Sequence, residues 1–186
     1  MCKNGIISRL ICEGRGGIFM SISLAVPNDI IDIMELLKSC IIDMQAHKIY
    51  QWNKNYPSIG HFEGDIENKS LYIFKDGVVN QGIITINETQ PLEYKKLNWL
   101  INDSRVMVIH RLAVKPIFQR QGIGQRLMNF AENFAFNNDY DSIRLDAYSG
   151  NPRAIKFYEN RGYKKIGQVF FPGRTLPFYC YEKIVR

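Results

Sequence analysis

Apolar residues recur along the chain with two different periods, and the switches between them outline its elements. SISLAV (Ser21 to Val26) alternates polar and apolar positions, the period of a half-buried strand. Pro27-Asn28-Asp29 then opens a helix on which Ile30, Ile33, Met34, Leu37, Ile41 and Met44 recur at helical spacing. The aromatic, turn-rich stretch YQWNKNYPSIG (Tyr50 to Gly60) reads as a loop. In LYIFKDGVVNQGIITIN, two apolar runs flank Lys75-Asp76-Gly77, and Asp-Gly is a strong hairpin signal. TQPLEYKKLNWLINDS is polar without a clear period and predicts a loop with a short helical piece. RVMVIHRLAV (Arg105 to Val114) is a β-branched strand. Ile123, Leu127, Phe130, Ala131 and Phe134 mark a helix that stops at Asn137-Asn138, and SIRLDAYS (Ser142 to Ser149) is a further strand. The next helix has clear limits: Asn151 as cap, Pro152 in the first turn where no amide donor is needed, and Gly162 for a left-handed exit. YKKIGQVFF and LPFYCYEKI are strands joined by Pro172-Gly173-Arg174. The order predicts an α/β fold with a mixed sheet that has antiparallel parts.

Composition narrows the function classes. With 186 residues and 46% hydrophobic content, the chain fits one domain with a sizeable core. No window approaches the run of apolar residues that spans a membrane. The formal charge is +6, but the basic residues are scattered apart from a cluster at Arg120 to Arg126. That favours a local anionic ligand over a nucleic-acid surface. Cys2, Cys12, Cys40 and Cys180 lie far apart, without zinc spacing, as expected of reduced thiols in a cytoplasmic protein. His47, His61 and His110 are dispersed as well, so no metal is expected. Periodic structure begins near Met20. Residues 1–19 read as a non-structural extension and a poor signal peptide, with Met20 as an alternative start, and 20–186 as one domain.

VKPIFQRQGIGQRLM (Val114 to Met128) places two glycines and two arginines between a strand and a helix. Such a turn offers free amides at the positive end of a helix dipole, a ready phosphate site. A nucleotide P-loop needs a lysine and a hydroxyl residue that are missing here, and a dinucleotide turn needs a third glycine where Leu127 stands. A helix start with incidental glycines is the plain alternative. The stretch LAVKPIFQRQGIG resembles the acyl-coenzyme A signature Q/R-x-x-G-x-G/A of the GNAT superfamily of N-acetyltransferases, met by Gln119, Gly122 and Gly124 after a strand and Val-x-Pro. A second stretch, NPRAIKFYENRGYKKIG (Asn151 to Gly167), is similar to that superfamily's N-x-x-A-x-x-F/L-Y-x-x-x-G-F/Y element. The resemblance covers roughly residues 20–186.

The resemblance implies a mostly antiparallel sheet with flanking helices and a splayed central strand pair near Leu112 and Leu145. It implies that the backbone of Leu112, Ala113 and Val114 pairs with the pantetheine of acetyl-coenzyme A. The amides of Arg120, Gln121, Gly122, Ile123, Gly124 and Gln125, with Gln119, would cradle the pyrophosphate, and Asn151 would bond the pantetheine while capping its helix. Tyr158 would sit beside the cofactor sulfur and serve the leaving thiolate. For the base, the resemblance points to Asp146, aligned with a glutamate of some relatives. His110 suits the role by its titration range, and strand alternation sets it on one face with Val108 and Leu112. Trp52, Tyr56, Tyr148 and the region Phe171 to Phe178 are candidates for the acceptor wall. Cys180 reads as a buried thiol rather than a nucleophile. The expected activity is acetyl transfer to a small-molecule or peptide amine in a ternary complex, by a bacterial-type enzyme that pairs as a homodimer. The rival is a non-catalytic acyl-coenzyme A sensor.

Overall fold

The computed structural model describes residues 12–13, 19–53, 55–102 and 105–186. The fold is α/β. Strands β1 (Cys12–Glu13), β2 (Phe19–Leu24), β3 (Leu71–Asp76), β4 (Val79–Asn87), β5 (Val106–Val114), β6 (Ser142–Tyr148), β7 (Lys164–Val169) and β8 (Phe178–Ile184) form one sheet in the order β1-β2-β3-β4-β5-β6-β8-β7. Every neighbouring pair is antiparallel except β5 and β6. The expected extension at 1–19 lies outside the described residues, apart from β1 and the start of β2, which pair with each other.

Alternation along the central strands gives the sheet two apolar faces. Helices α1 (Ile30–Ala46) and α2 (Ile59–Glu67) cover one, where Ile33, Leu36, Leu37 and Phe62 meet Leu71, Ile73, Ile83 and Ala113. Helices α3 (Ile123–Asn137) and α4 (Pro152–Asn160) cover the other, where Leu127, Met128, Ala131 and Tyr158 meet Phe74, Ile84, Met107 and Leu145. Gly82 lets α3 lie close to β4: a Cβ there would stand 3.0 Å from Ala113 O and 3.1 Å from Leu127 Cδ1. A third cluster joins Tyr94 and Trp99 to Val108, Tyr148, Phe178 and Cys180.

The helix α2 falls where the sequence pattern predicted loop up to Gly60 and nothing regular after it. It is short, opens with Ser58 before its first residue Ile59, and its buried residues are Phe62 and Asp65. The Asp65 carboxylate takes the Arg111 guanidinium, with Arg111 Nε at 3.0 Å, and Thr85 Oγ1 at 3.1 Å. An apolar periodicity search does not see a helix anchored by a buried ion pair. The segment 91–101 is a loop with a 3-10 turn at Leu92–Lys96, as its aperiodic sequence predicts. Among the described residues, no helix is long and apolar enough to cross a membrane.

Candidate active site

The pairing of β5 with β6 runs from Val106↔Ser142 to Ile109↔Leu145 and stops there. Beyond it, β5 continues along β4 to Val114, and β6 continues along β8 to Tyr148. The two strands thus diverge with their inner edges unpaired, which is the splay expected at Leu145. A bulge lies at the point of divergence. Ile84 faces Leu112 and Ile86 faces Ile109, so His110 and Arg111 share the single partner Thr85. This breaks the alternation used to place His110. Val108 packs with Tyr94 and Tyr148, and Leu112 packs with the cluster on the opposite face.

A cleft of about 520 Å³ opens from the splay, within the range of small-molecule sites. Leu112–Val114, Gln119–Arg120 and Gly122–Gln125 line one part, and Asn151, Ala154, Phe157 and Tyr158 of α4 line another. Gly122 stands just before α3 with φ 79°, a left-handed conformation that glycine adopts without strain. Arg120 is also left-handed, at φ 62°. The first α-helical bond of this turn runs from Arg126 N to Gly122 O, so the amides before Arg126 have no carbonyl of α3 to pair with. The side chains of Gln119 and Gln121 donate to backbone carbonyls, of Val114 at 3.1 Å and of Ile117 at 3.3 Å. The Gln121 side chain stays outside the cleft.

Asn151 caps α4, accepting from Ala154 N at 3.1 Å, while its Nδ2 donates to Gln51 Oε1 at 3.0 Å. That ties α4 to the loop after α1, whose Gln51 and Trp52 line the cleft opposite. Tyr158 is buried at its wall, and loss of solvent, with the Asp146 charge nearby, pushes its phenol well above the ordinary range. Asp146 reaches the cleft from β6 and takes a 2.8 Å hydrogen bond from Tyr94 Oη. Burial raises its carboxyl to about 6; the Tyr94 bond works against that shift and the Glu93 charge adds to it.

His110 lines the same cleft from the bulge. Its Nε2 is 2.8 Å from Asn87 Oδ1, an oxygen that also accepts from Thr89 N at 2.8 Å, so the imidazole is the donor. Burial, with the Arg111 charge next to it, lowers this histidine to about 4, leaving it neutral at pH 7. Cys40 lines the cleft too, its thiol pushed up to about 12 by burial. Cys180 faces Asp146 across β6 and β8, and burial holds its thiol protonated.

Two of the expected acceptor residues lie elsewhere. Tyr56 is partly exposed and sits edge-on to His61 at 5.1 Å, and Tyr148 is buried against Phe178 at 5.2 Å. Phe171 also packs on Phe178, at 5.0 Å, so these two rings serve packing, while most of the loop between them is exposed. Arg153 and Phe157 line the cleft without having been singled out, although both lie inside the second motif. Tyr94 was missed altogether, for its sequence context carries no period. Among the described residues, no group of three or more His, Cys, Asp or Glu could hold a metal ion.

Comparison with known proteins agrees with this architecture. The profile described as acetyltransferase (GNAT) family matches residues 33–163. A Bacillus subtilis protein named as the uncharacterized N-acetyltransferase YesJ is 28% identical over 105 residues, covering 56% of this chain and 58% of that protein. Human N-acetyltransferase 8 is 32% identical over 71 residues, covering 38% of this chain and 31% of that protein. The chain therefore spans little more than half of one of these relatives and about a third of the other. Among solved structures, a GNAT-family acetyltransferase from Streptococcus agalactiae superposes with a TM-score of 0.76 at 24% identity, covering 89% of this chain and 95% of that one. The ribosomal-protein-S18-alanine N-acetyltransferase of Escherichia coli does so with a TM-score of 0.64 at 14% identity, covering 89% and 94%. The profile match, the splayed strands and the glycine turn lead to one conclusion: this chain belongs to the GNAT acetyltransferase family.

Proposed function

We propose that residues 20–186 act as one acetyltransferase domain that moves an acetyl group from acetyl-coenzyme A to a primary amine by direct attack in a ternary complex. The observation that carries this reading is the splay, where unpaired strand edges, a glycine turn and two titratable side chains converge on one cleft. Acetyl-coenzyme A supplies the activated thioester. The backbone of Leu112–Val114, unpaired toward β6, takes the pantetheine as an added strand. The free amides around Gly122 take the pyrophosphate, helped by the positive end of α3 and by Arg120.

At the reacting end, the acceptor must lose a proton, because alkylammonium groups titrate near about 10. Asp146 receives that proton, directly or through a water. Its titration near 6 leaves it ionised at neutral pH yet more basic than an ordinary carboxylate. The amine nitrogen then attacks the carbonyl carbon as the carbon–sulfur bond breaks. Tyr158, kept protonated by burial, donates to the departing sulfur. His110 is neutral and hydrogen-bonded, and serves as a wall of the site. No acyl-enzyme is invoked, since Cys40 and Cys180 are both held as thiols.

A thermal-shift series with acetyl-coenzyme A, coenzyme A, NAD and ATP tests the cleft. A ligand at a hundred times its Kd adds about 2.7 kcal/mol of stability. Stabilisation by both coenzyme A forms, followed by thiol release with a panel of primary amines, is the expected result. Stabilisation by NAD or ATP alone contradicts it. Binding without thiol release for any amine would favour the sensor reading instead.

A further inference from the structure

We propose that Tyr94 is a positioning residue for this site, its phenol fixing the Asp146 carboxylate at the mouth of the splay. The inference rests on the reading of Asp146 as the base. Among the described residues, the one hydrogen-bond donor to the Asp146 side chain is Tyr94 Oη, at 2.8 Å, reaching across from the 3-10 turn. Tyr94 is itself only 1% exposed. It comes from an aperiodic loop, so its placement needs a cause, and the cause is a set of fastenings along that loop. Trp99 Nε1 donates to Tyr94 O at 3.0 Å, and the two rings lie 4.9 Å apart. The Arg144 guanidinium stacks over Trp99 at 4.2 Å, donates to Gln90 Oε1 at 2.8 Å and to Ile101 O at 2.6 Å, and is paired with Glu182 at 2.9 Å. Glu182 in turn accepts from Leu100 N at 2.5 Å. A buried ion pair in the sheet thus clamps both sides of the turn that delivers one phenol to one carboxylate.

The neighbours of Asp146 leave the ionised state with little other support. Tyr158 from α4 and Cys180 from β8 are kept protonated by burial, and His110 on β5 is neutral at pH 7. Glu93, beside Tyr94, opposes ionisation. Arg144 lies on the same strand but is engaged by Glu182. The Tyr94 hydroxyl is therefore the group that favours the carboxylate and fixes its orientation.

The test is carboxyl carbon-13 NMR of aspartate-labelled full-length protein, which needs no knowledge of the acceptor. The resonance absent in Asp146→Asn identifies the residue. In the wild type it titrates near 6. In Tyr94→Phe, with far-ultraviolet circular dichroism unchanged, its midpoint rises by about one pH unit, the scale of a lost hydrogen bond to a charged group. An unchanged midpoint overturns the proposal. If Tyr94→Phe does not fold, the Tyr94 ring carbon bearing the hydroxyl, in wild-type protein, must show the same titration step and lose it in Asp146→Asn; no such step overturns the proposal equally. Thiol release separates this from the base reading. If Asp146→Asn turns over as the wild type does while the Tyr94 effect on the titration persists, the hydrogen bond stands and the catalytic assignment falls.

Discussion

Two carboxylates sit on the same pair of strands and are treated in opposite ways. Glu182 on β8 faces Arg144 on β6, and Asp146 on β6 faces Cys180 on β8. Glu182 is wholly buried and saturated: Arg144 Nε at 2.9 Å, Ser142 Oγ at 2.8 Å and Leu100 N at 2.5 Å all donate to it. Among the described residues, Asp146 has one neutral donor and no cation bonded to it, and it opens on the cleft. A buried charge is tolerated where it is paired and bonded, and stays chemically available where it is not. The first arrangement holds a loop in place. The second leaves a carboxylate able to take a proton near neutral pH. The Asp65–Arg111 pair under α2 repeats the first arrangement, which makes Asp146 the exception among these buried acids.

The largest expected effect comes from breaking the saturated pair. Arg144→Met leaves Glu182 buried without its cation and frees Gln90 and Ile101 from the sheet. Loss of one partner of a buried ion pair costs about 3–5 kcal/mol. Urea denaturation should show that loss at pH 7. A change below 1 kcal/mol would mean that the pair does not fasten the loop.

Asp146→Asn should do the reverse. The folded carboxyl titrates at about 6, above its ordinary 3.8, so ionising it in place costs stability. For an acid raised in this way the cost is absent below about pH 4 and complete above about pH 6. Wild-type stability attributable to this group therefore falls as pH rises through that window. The variant escapes the cost, and should match the wild type near pH 4 and exceed it at pH 8, by something on the order of 3 kcal/mol. Its acetyl transfer should meanwhile drop by about 100-fold to 10,000-fold, the span of a lost general base. A variant that is both less stable at pH 8 and fully active would erase the contrast with Glu182.

The glycine turn sharpens the comparison from the cofactor side. Gly122→Ala places a Cβ at φ 79° where nothing else obstructs it. The expected cost is the left-handed strain alone, about 1–2 kcal/mol. Coenzyme A affinity should fall with it, because the turn that presents the amides must shift. Isothermal titration with coenzyme A beside a denaturation curve reads both. Affinity unchanged in a destabilised variant would remove the turn from the binding site.

What the sequence made legible follows from the range of the forces involved. Asn151 capping, the left-handed Gly162 and the hairpin at Gly77 are decided within a few residues, and all are found as the pattern predicts. The residues of the two glycine-bearing motifs that line the cleft were legible for the same reason. The Tyr94–Asp146 bond spans 52 positions and the Glu182–Leu100 bond 82, and no local pattern encodes either. The bulge at His110 and Arg111 is a different kind of gap. Alternation is a sound rule until one strand carries an extra residue, and then every side chain beyond it changes face.

That bulge leads to the smallest expected effect. His110 and Asp146 line one cleft, and either could be named the base from residue type alone. Their surroundings divide them. Burial and Arg111 depress the histidine to about 4, below its ordinary 6.5, so that at pH 7 it is neutral and a poor proton acceptor. For such a group the stability it contributes is intact above 6.5 and is lost as pH falls toward 4. His110→Gln should thus stabilise the protein at pH 5 relative to the wild type and leave it nearly unchanged at pH 8. Its kcat/KM should fall by roughly threefold, the worth of one neutral hydrogen bond, with the acid limb of the profile still near 6. A limb that disappears in His110→Gln and survives in Asp146→Asn would exchange the two roles. Asp146 would then be a carboxylate that the fold tolerates without using, and its contrast with Glu182 would be one of stability alone.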